Sequence, residues 1–215
     1  GISFALAGTI AFAFRPVLVK LAYESAPVSA TTLLFLRMAL SLPFFAAVAW
    51  WLRREPALAR RDWAGIAALG FLGYYLASLL DFLGLQYVPA GLGRLIMFLY
   101  PTLVVILSAL FLARRPTPRE LSALAMTYAG IALVLSRQLG AEPDNGLFLF
   151  GAALVFGSAM CYAVYLVTGS QLVKRVGSMR FTAYTMMVST APAVVQFVLL
   201  ESPAALRLPG EVWLY

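Results

Sequence analysis

Five ionisable side chains lie inside long apolar stretches of this chain: Arg15, Lys20, Arg37, Asp81 and Arg94. A charge within a bilayer is costly unless it is paired or faces water, so each of the five is a candidate for function. Arg15 and Arg37 each lie some seven or eight residues from the same end of their own apolar segments, about 11 Å deep at a helical rise of about 1.5 Å per residue. Two guanidiniums at that depth repel one another unless an anion, carbonyls or water come between them. They predict a cavity that takes a carboxylate or other anionic group. The alternative is that Arg37 pairs with Asp81 or with helix ends while Arg15 reaches outward. Asp81 and Arg94 fall at similar depth on adjacent antiparallel segments. Three outcomes stay open for them: a structural ion pair that locks the hairpin, a coupling or gate pair lining the vestibule, or no pairing. Lys20 is close enough to the interface to snorkel. The Tyr100-Pro101 step sets a phenol beside a carbonyl freed by proline, and it either lines a cavity or serves packing.

Enzymatic and metal chemistry find no foothold in the residues. The chain has no His and one Cys, Cys161, and it shows no HExxH, CxxC or Walker loop. No cofactor is called for. A net charge of +7 could mark a nucleic-acid surface, but the arginines fall in short loops between apolar spans, where they set membrane orientation.

The elements that must position these side chains are membrane helices. Of the 215 residues 62% are hydrophobic and only 12% charged, and the mean hydropathy is +0.89, outside soluble usage. Leu95–Ala113 holds nineteen residues without a charge, about 28 Å of helix, close to the hydrocarbon thickness of a bilayer. Seven spans are predicted, at Ile2–Ala22, Ala30–Leu52, Trp63–Tyr87, Ala90–Ala113, Leu121–Ser136, Leu147–Val173 and Phe181–Leu200, with an eighth starting near Val212. The chain opens within a span and stops as another begins, and so reads as a piece of a longer protein. Arg53, Arg54, Arg60, Arg61, Arg114 and Arg115, with Arg119, Lys174, Arg175 and Arg180, share one side; Glu24, Glu142, Asp144, Glu201 and Glu211 share the other. The positive-inside rule makes the first side cytoplasmic, together with the N-terminus.

Sliding the chain by 149 positions sets Gly8 on Gly157, Thr9 on Ser158, Ser29 on Ser178 and Pro43 on Pro192. With five spans in a unit the second copy enters from the opposite side, as the loop charges require. Inverted repeats of this kind build two related gates around a midplane site.

Phe82–Pro118 carries a "GLQYVPAG" turn, an apolar span with a mid-helix "YP" and a basic "RRPTP" exit, followed by a "YAGIALVL" span. This combination resembles the EamA branch of the drug/metabolite transporter superfamily. The resemblance implies an all-α polytopic membrane protein, a bundle of two inverted five-helix repeats, the first over 1–140 and an incomplete second over 141–215. It also implies that Tyr162 and Tyr165 face a central cavity, the alternative being an interhelical hydrogen bond. Arg114 stands where members commonly carry an acidic residue, so no role for that carboxylate is carried over. The expected function is secondary transport, with export as the family expectation, of a small polar metabolite or amino acid, anionic or zwitterionic, across the inner membrane by alternating access. The other reading is an integral membrane enzyme or assembly subunit that does not transport.

Overall fold

The structure, a computed structural model, describes residues 17–26, 28–135 and 145–206, and these residues are helical apart from short connections. Helix α1 covers 17–25. Helix α2, Ala30–Trp51, opens where the Ser29 side chain accepts from the Thr32 amide at 3.1 Å, filling one of the donors that a helix start leaves unused. Next comes a continuous rod of three parts, α3 (Arg60–Gly70), a π-helical stretch (Phe71–Leu76) and α4 (Ala77–Tyr87). The rod ends at Val88, which is extended because Pro89 disfavours a helical residue before it. The next span is broken rather than continuous: α5 (Ala90–Met97) and α6 (Tyr100–Leu112) meet at Phe98-Leu99, where Pro101 has no amide to continue the ladder. Helices α7 (Pro118–Leu135), α8 (Asn145–Val176) and α9 (Ser178–Leu200) follow. Gly177 alone joins the last two, at φ +87°, a conformation that side chains resist.

Among the described residues five helical segments are long and apolar enough to cross a membrane: Ala30–Arg54, Arg60–Tyr87, Ala90–Leu112, Gly146–Val176 and Ser178–Leu200. They match five of the seven expected spans. The expected span Leu121–Ser136 does form a helix, α7, but its first turn holds Pro118, Arg119 and Glu120 and it falls outside that set. Most of Ile2–Ala22, Arg15 and the segment around Val212 lie outside the described residues.

Apolar side chains gain little by leaving lipid for one another, so close backbone approach has to hold such helices together. At the α4–α8 crossing a Cβ on Gly84 would stand 2.8 Å from the Gly151 carbonyl oxygen and 2.6 Å from Val155 Cγ2. Ser158 on α8 donates to the Ala77 carbonyl at 2.6 Å. Helices α2 and α9 lie antiparallel, with Phe35 stacked on Phe197 at 4.2 Å and Ser29 hydrogen-bonded to Glu201. Leu34, Met38, Phe82 and Ala193 form the buried centre between α2, α4 and α9.

Helix α7 begins with a capping box: the Thr117 amide donates to Glu120 Oε2 at 2.8 Å, and the Glu120 amide donates to Thr117 Oγ1 at 3.3 Å. The Thr117 amide, seconded by the Thr117 hydroxyl and by Arg114 at 2.6 Å, holds the Glu120 carboxyl below the usual carboxylate range. Its contribution is therefore complete above that range and is lost as pH falls through and below it. Hydrogen exchange at the Thr117 amide, corrected for intrinsic rate, is expected to accelerate on acidification in the native chain. In Glu120→Gln this pH dependence should vanish.

Candidate functional site

Gly73, in the π-helical stretch, has no side chain where a Cβ would lie 2.3 Å from the Tyr165 ring, so the α8 tyrosine lies against the rod's backbone. Widened turns of this kind recur where helices carry function. Tyr165 is buried and central to an aromatic cluster. Its ring meets Tyr74 edge-on at 5.3 Å, Tyr162 at 6.0 Å and Phe181 at 5.6 Å, and Tyr100 meets Tyr162 at 5.2 Å. The Tyr165 hydroxyl donates to the Tyr74 hydroxyl at 3.3 Å. The three sequence-derived tyrosines, Tyr100, Tyr162 and Tyr165, thus come together from α6 and α8, and Tyr74 joins them from the rod. Tyr165 makes the interhelical hydrogen bond that was the alternative to a cavity-facing role.

One helical turn further along the rod, Ser78 accepts from Arg37 Nη1 at 2.6 Å. Ser78 is buried, and so is Asp81, the carboxylate on the next turn, at 4% exposure. Tyr74, Ser78, Asp81 and Leu85 follow one another at four, three and four residues, the spacing of a single helix face. Asp81 lies within electrostatic reach of the Arg94 guanidinium and the Tyr23 phenol. Tyr23 donates to the Phe82 carbonyl at 2.9 Å. Lys20 reaches the Leu85 carbonyl at 3.2 Å, putting a cation on the C-terminal turn of α4, where carbonyls lack helical partners and the dipole is negative. Arg15 lies outside the described residues, so its expected position beside Arg37 does not enter the geometry.

Sequence reading missed Tyr74 and Ser78, both neutral and therefore silent in a search for charges. The one-face spacing around Asp81 was the signal that could have found them. It also missed the relay in which Tyr75 donates to Gln196 Oε1 at 2.8 Å and Gln196 Nε2 donates to Thr31 Oγ1 at 3.4 Å, linking the rod, α9 and α2. At the basic end two arginines read only as orientation charges are ion-paired. Arg175 bonds Asp62, and the buried Arg180 reaches Glu55 at 3.4 Å and the Pro56 carbonyl at 2.9 Å. Trp63 packs on Tyr184 beside them, at 4.9 Å. These contacts tie the α8–α9 hairpin to the α2–α3 connection.

The rod thus carries a polar face of Tyr74, Ser78 and Asp81, with Arg37 and three further tyrosines gathered beside it. Residues 1–136 match the EamA-like transporter family. The chain belongs to this family. EamA-like relatives include the Bacillus subtilis (strain 168) protein named "Uncharacterized transporter YcbK", 29% identical over 97% of this chain and 66% of its own length. A second from the same organism, "Uncharacterized transporter YyaM", is 30% identical over 72% of this chain and 51% of its own. An Archaeoglobus fulgidus protein, also named as an uncharacterized transporter, is 26% identical over 61% of this chain and 45% of its own. The EamA-like chain thus spans two thirds or less of these relatives. A crystal structure of a protein at 22% identity superposes with a TM-score of 0.64 over 98% of this chain and 72% of the other, which shows a shared fold. The chain is a multi-pass membrane protein of a transporter family, and the enzyme reading is set aside.

Proposed function

We propose that this chain belongs to a secondary carrier that exports a small polar metabolite or amino acid, anionic or zwitterionic, across the inner membrane. The observation that carries the reading is the Arg37–Ser78 pair beside the cluster of Tyr74, Tyr100, Tyr162 and Tyr165, a polar centre inside helices that are otherwise apolar. In this reading Arg37, with Arg15, binds the carboxylate of the solute, and Ser78 holds the Arg37 guanidinium in place. Tyr100, Tyr162 and Tyr165 supply hydroxyls and ring faces to the rest of the molecule.

Alternating access would run between two inverted five-helix repeats, the first over 1–140 and the second from 141 onward, with seven spans in this chain. Two features support that threading. Helices α2 and α9, which the 149-residue offset superposes with Pro43 on Pro192, lie antiparallel side by side. Helix α1 packs at the end of the bundle where α8 begins, with Lys20 on the Leu85 carbonyl, Tyr23 on the Phe82 carbonyl and Gly151 of α8 against Gly84 there. The basic end is assigned to the cytoplasm, where Arg175–Asp62 and Arg180–Glu55 tie α8 and α9 to the α2–α3 region.

Reconstituted protein tests the reading. Liposomes loaded with unlabelled amino acids, organic acids or nucleosides should show a saturable counterflow overshoot of at least one labelled counterpart. A non-transporting subunit gives none with any of them. Asp81 and Arg94 are assigned to coupling and gating, with Asp81 as the proton acceptor. Asp81→Asn is then expected to abolish the dependence of uptake on an imposed pH gradient while counterflow persists, and an unchanged dependence removes Asp81 from the cycle.

A further inference from the structure

The α2–α3 connection and the first turn of α3 carry four arginines within nine residues, Arg53, Arg54, Arg60 and Arg61, and their two neighbouring acids are Glu55 and Asp62. Local neutralisation would be the ordinary fate of such a cluster. The fold prevents it, because Glu55 is engaged by Arg180 of α9 and Asp62 by Arg175 of α8. Arg53 lies over the Trp50 ring at 3.7 Å. Arg54, Arg60 and Arg61 are exposed, and none of them has an ion-pair or hydrogen-bond partner for its side chain among the described residues. The loop therefore keeps three cations available to an anion from outside. Trp50 and Trp51, 66% and 72% exposed, end the apolar helix immediately before the cluster. Indoles favour the headgroup level of a bilayer, so the arginines stand at the height of lipid phosphates.

We infer that the α2–α3 connection is a binding site for anionic phospholipid headgroups, formed by Arg54, Arg60 and Arg61 and held at the interface by Trp50 and Trp51. Guanidinium suits the occupant, since its planar donors match phosphate oxygens two at a time. An orientation signal alone would require positive charge anywhere at this end. A site requires it here.

The test uses the full chain in nanodiscs of phosphatidylcholine with graded phosphatidylglycerol, reading retained lipid by native mass spectrometry. The native chain is expected to retain phosphatidylglycerol over phosphatidylcholine. Each Arg→Gln change at 54, 60 or 61 should weaken that retention about fivefold, and the triple change on the order of a hundredfold. An equal-charge control, Arg115→Gln with Arg119→Gln and Lys174→Gln at the same end, should leave it nearly unchanged, and the triple Arg→Lys variant should keep most of it. If the triple Gln variant fails to insert, Arg60→Gln alone decides by its fivefold change. Equal losses in site and control variants, no preference for phosphatidylglycerol in the native chain, or equal loss in the Lys and Gln variants each overturns the proposal.

Discussion

Replacing Gly84 with leucine is expected to destabilise the bundle by about 3 kcal/mol, at the upper end of overpacking costs. For a chain of this size that is a fall of roughly 6–12 °C in melting temperature. The magnitude follows from what the new Cβ meets: the Gly151 carbonyl oxygen at 2.8 Å and the Val155 amide nitrogen at 3.2 Å are backbone atoms of α8 and cannot rotate away. Helix α8 must move off α4, and the Ser158 bond to the Ala77 carbonyl stretches with it. Gly157 is the internal control. A Cβ there comes no nearer than 3.4 Å to Leu80 Cδ1, an ordinary contact, so Gly157→Ala should be neutral or slightly stabilising through its better helix propensity. Thermal unfolding of the two variants in the same detergent checks the pair. Equal melting temperatures would mean that the α4–α8 crossing is not held by these glycines.

Arg37→Gln is expected to weaken the apparent affinity for an anionic or zwitterionic solute about a hundredfold, within the range for truncating one partner of a buried charge pair. The half-saturation concentration for counterflow is the readout, with an unchanged melting temperature as the check on folding. Arg37→Lys keeps the charge but loses the planar fork, and should fall between the two. Ser78→Ala keeps the charge but removes the 2.6 Å acceptor that holds the guanidinium in place, and about a tenfold loss is expected, the scale of one hydrogen bond to a charged group. Arg37→Gln with native affinity would remove Arg37 from the site.

The spans were legible because hydropathy and punctuation act locally. Ser29 before Ala30, the Val88-Pro89 step and the end of α9 at Leu200 each stop or start a helix for reasons written within a few residues. At Tyr100-Pro101 the sequence showed a proline within one span but not that the helix breaks there into α5 and α6. Helix α8 runs from Asn145 to Val176, beyond the expected Leu147–Val173, because the apolar window stops at polar residues while the backbone ladder does not. The contact between Arg37 and Ser78 was not legible. Nothing near Arg37 in sequence points to Ser78, forty-one positions on. The π-helical turn at Phe71–Leu76 has no composition of its own, and it makes sense only beside the Tyr165 ring that rests on Gly73. Arg175 and Arg180 read as loop charges because the carboxylates they meet come from a connection more than a hundred residues earlier.

Substrate protection at the tyrosine cluster tests the central claim most directly. In a Cys161→Ser background a single cysteine is placed by Tyr162→Cys, and its labelling by a membrane-permeant maleimide is followed with and without a saturating counterflow solute. Leu110→Cys, on the exposed flank of α6, serves as the reference. The account predicts that solute slows labelling at 162 severalfold and leaves 110 unchanged. Equal labelling rates at 162 with and without solute would contradict a binding site at Tyr74, Tyr100, Tyr162 and Tyr165.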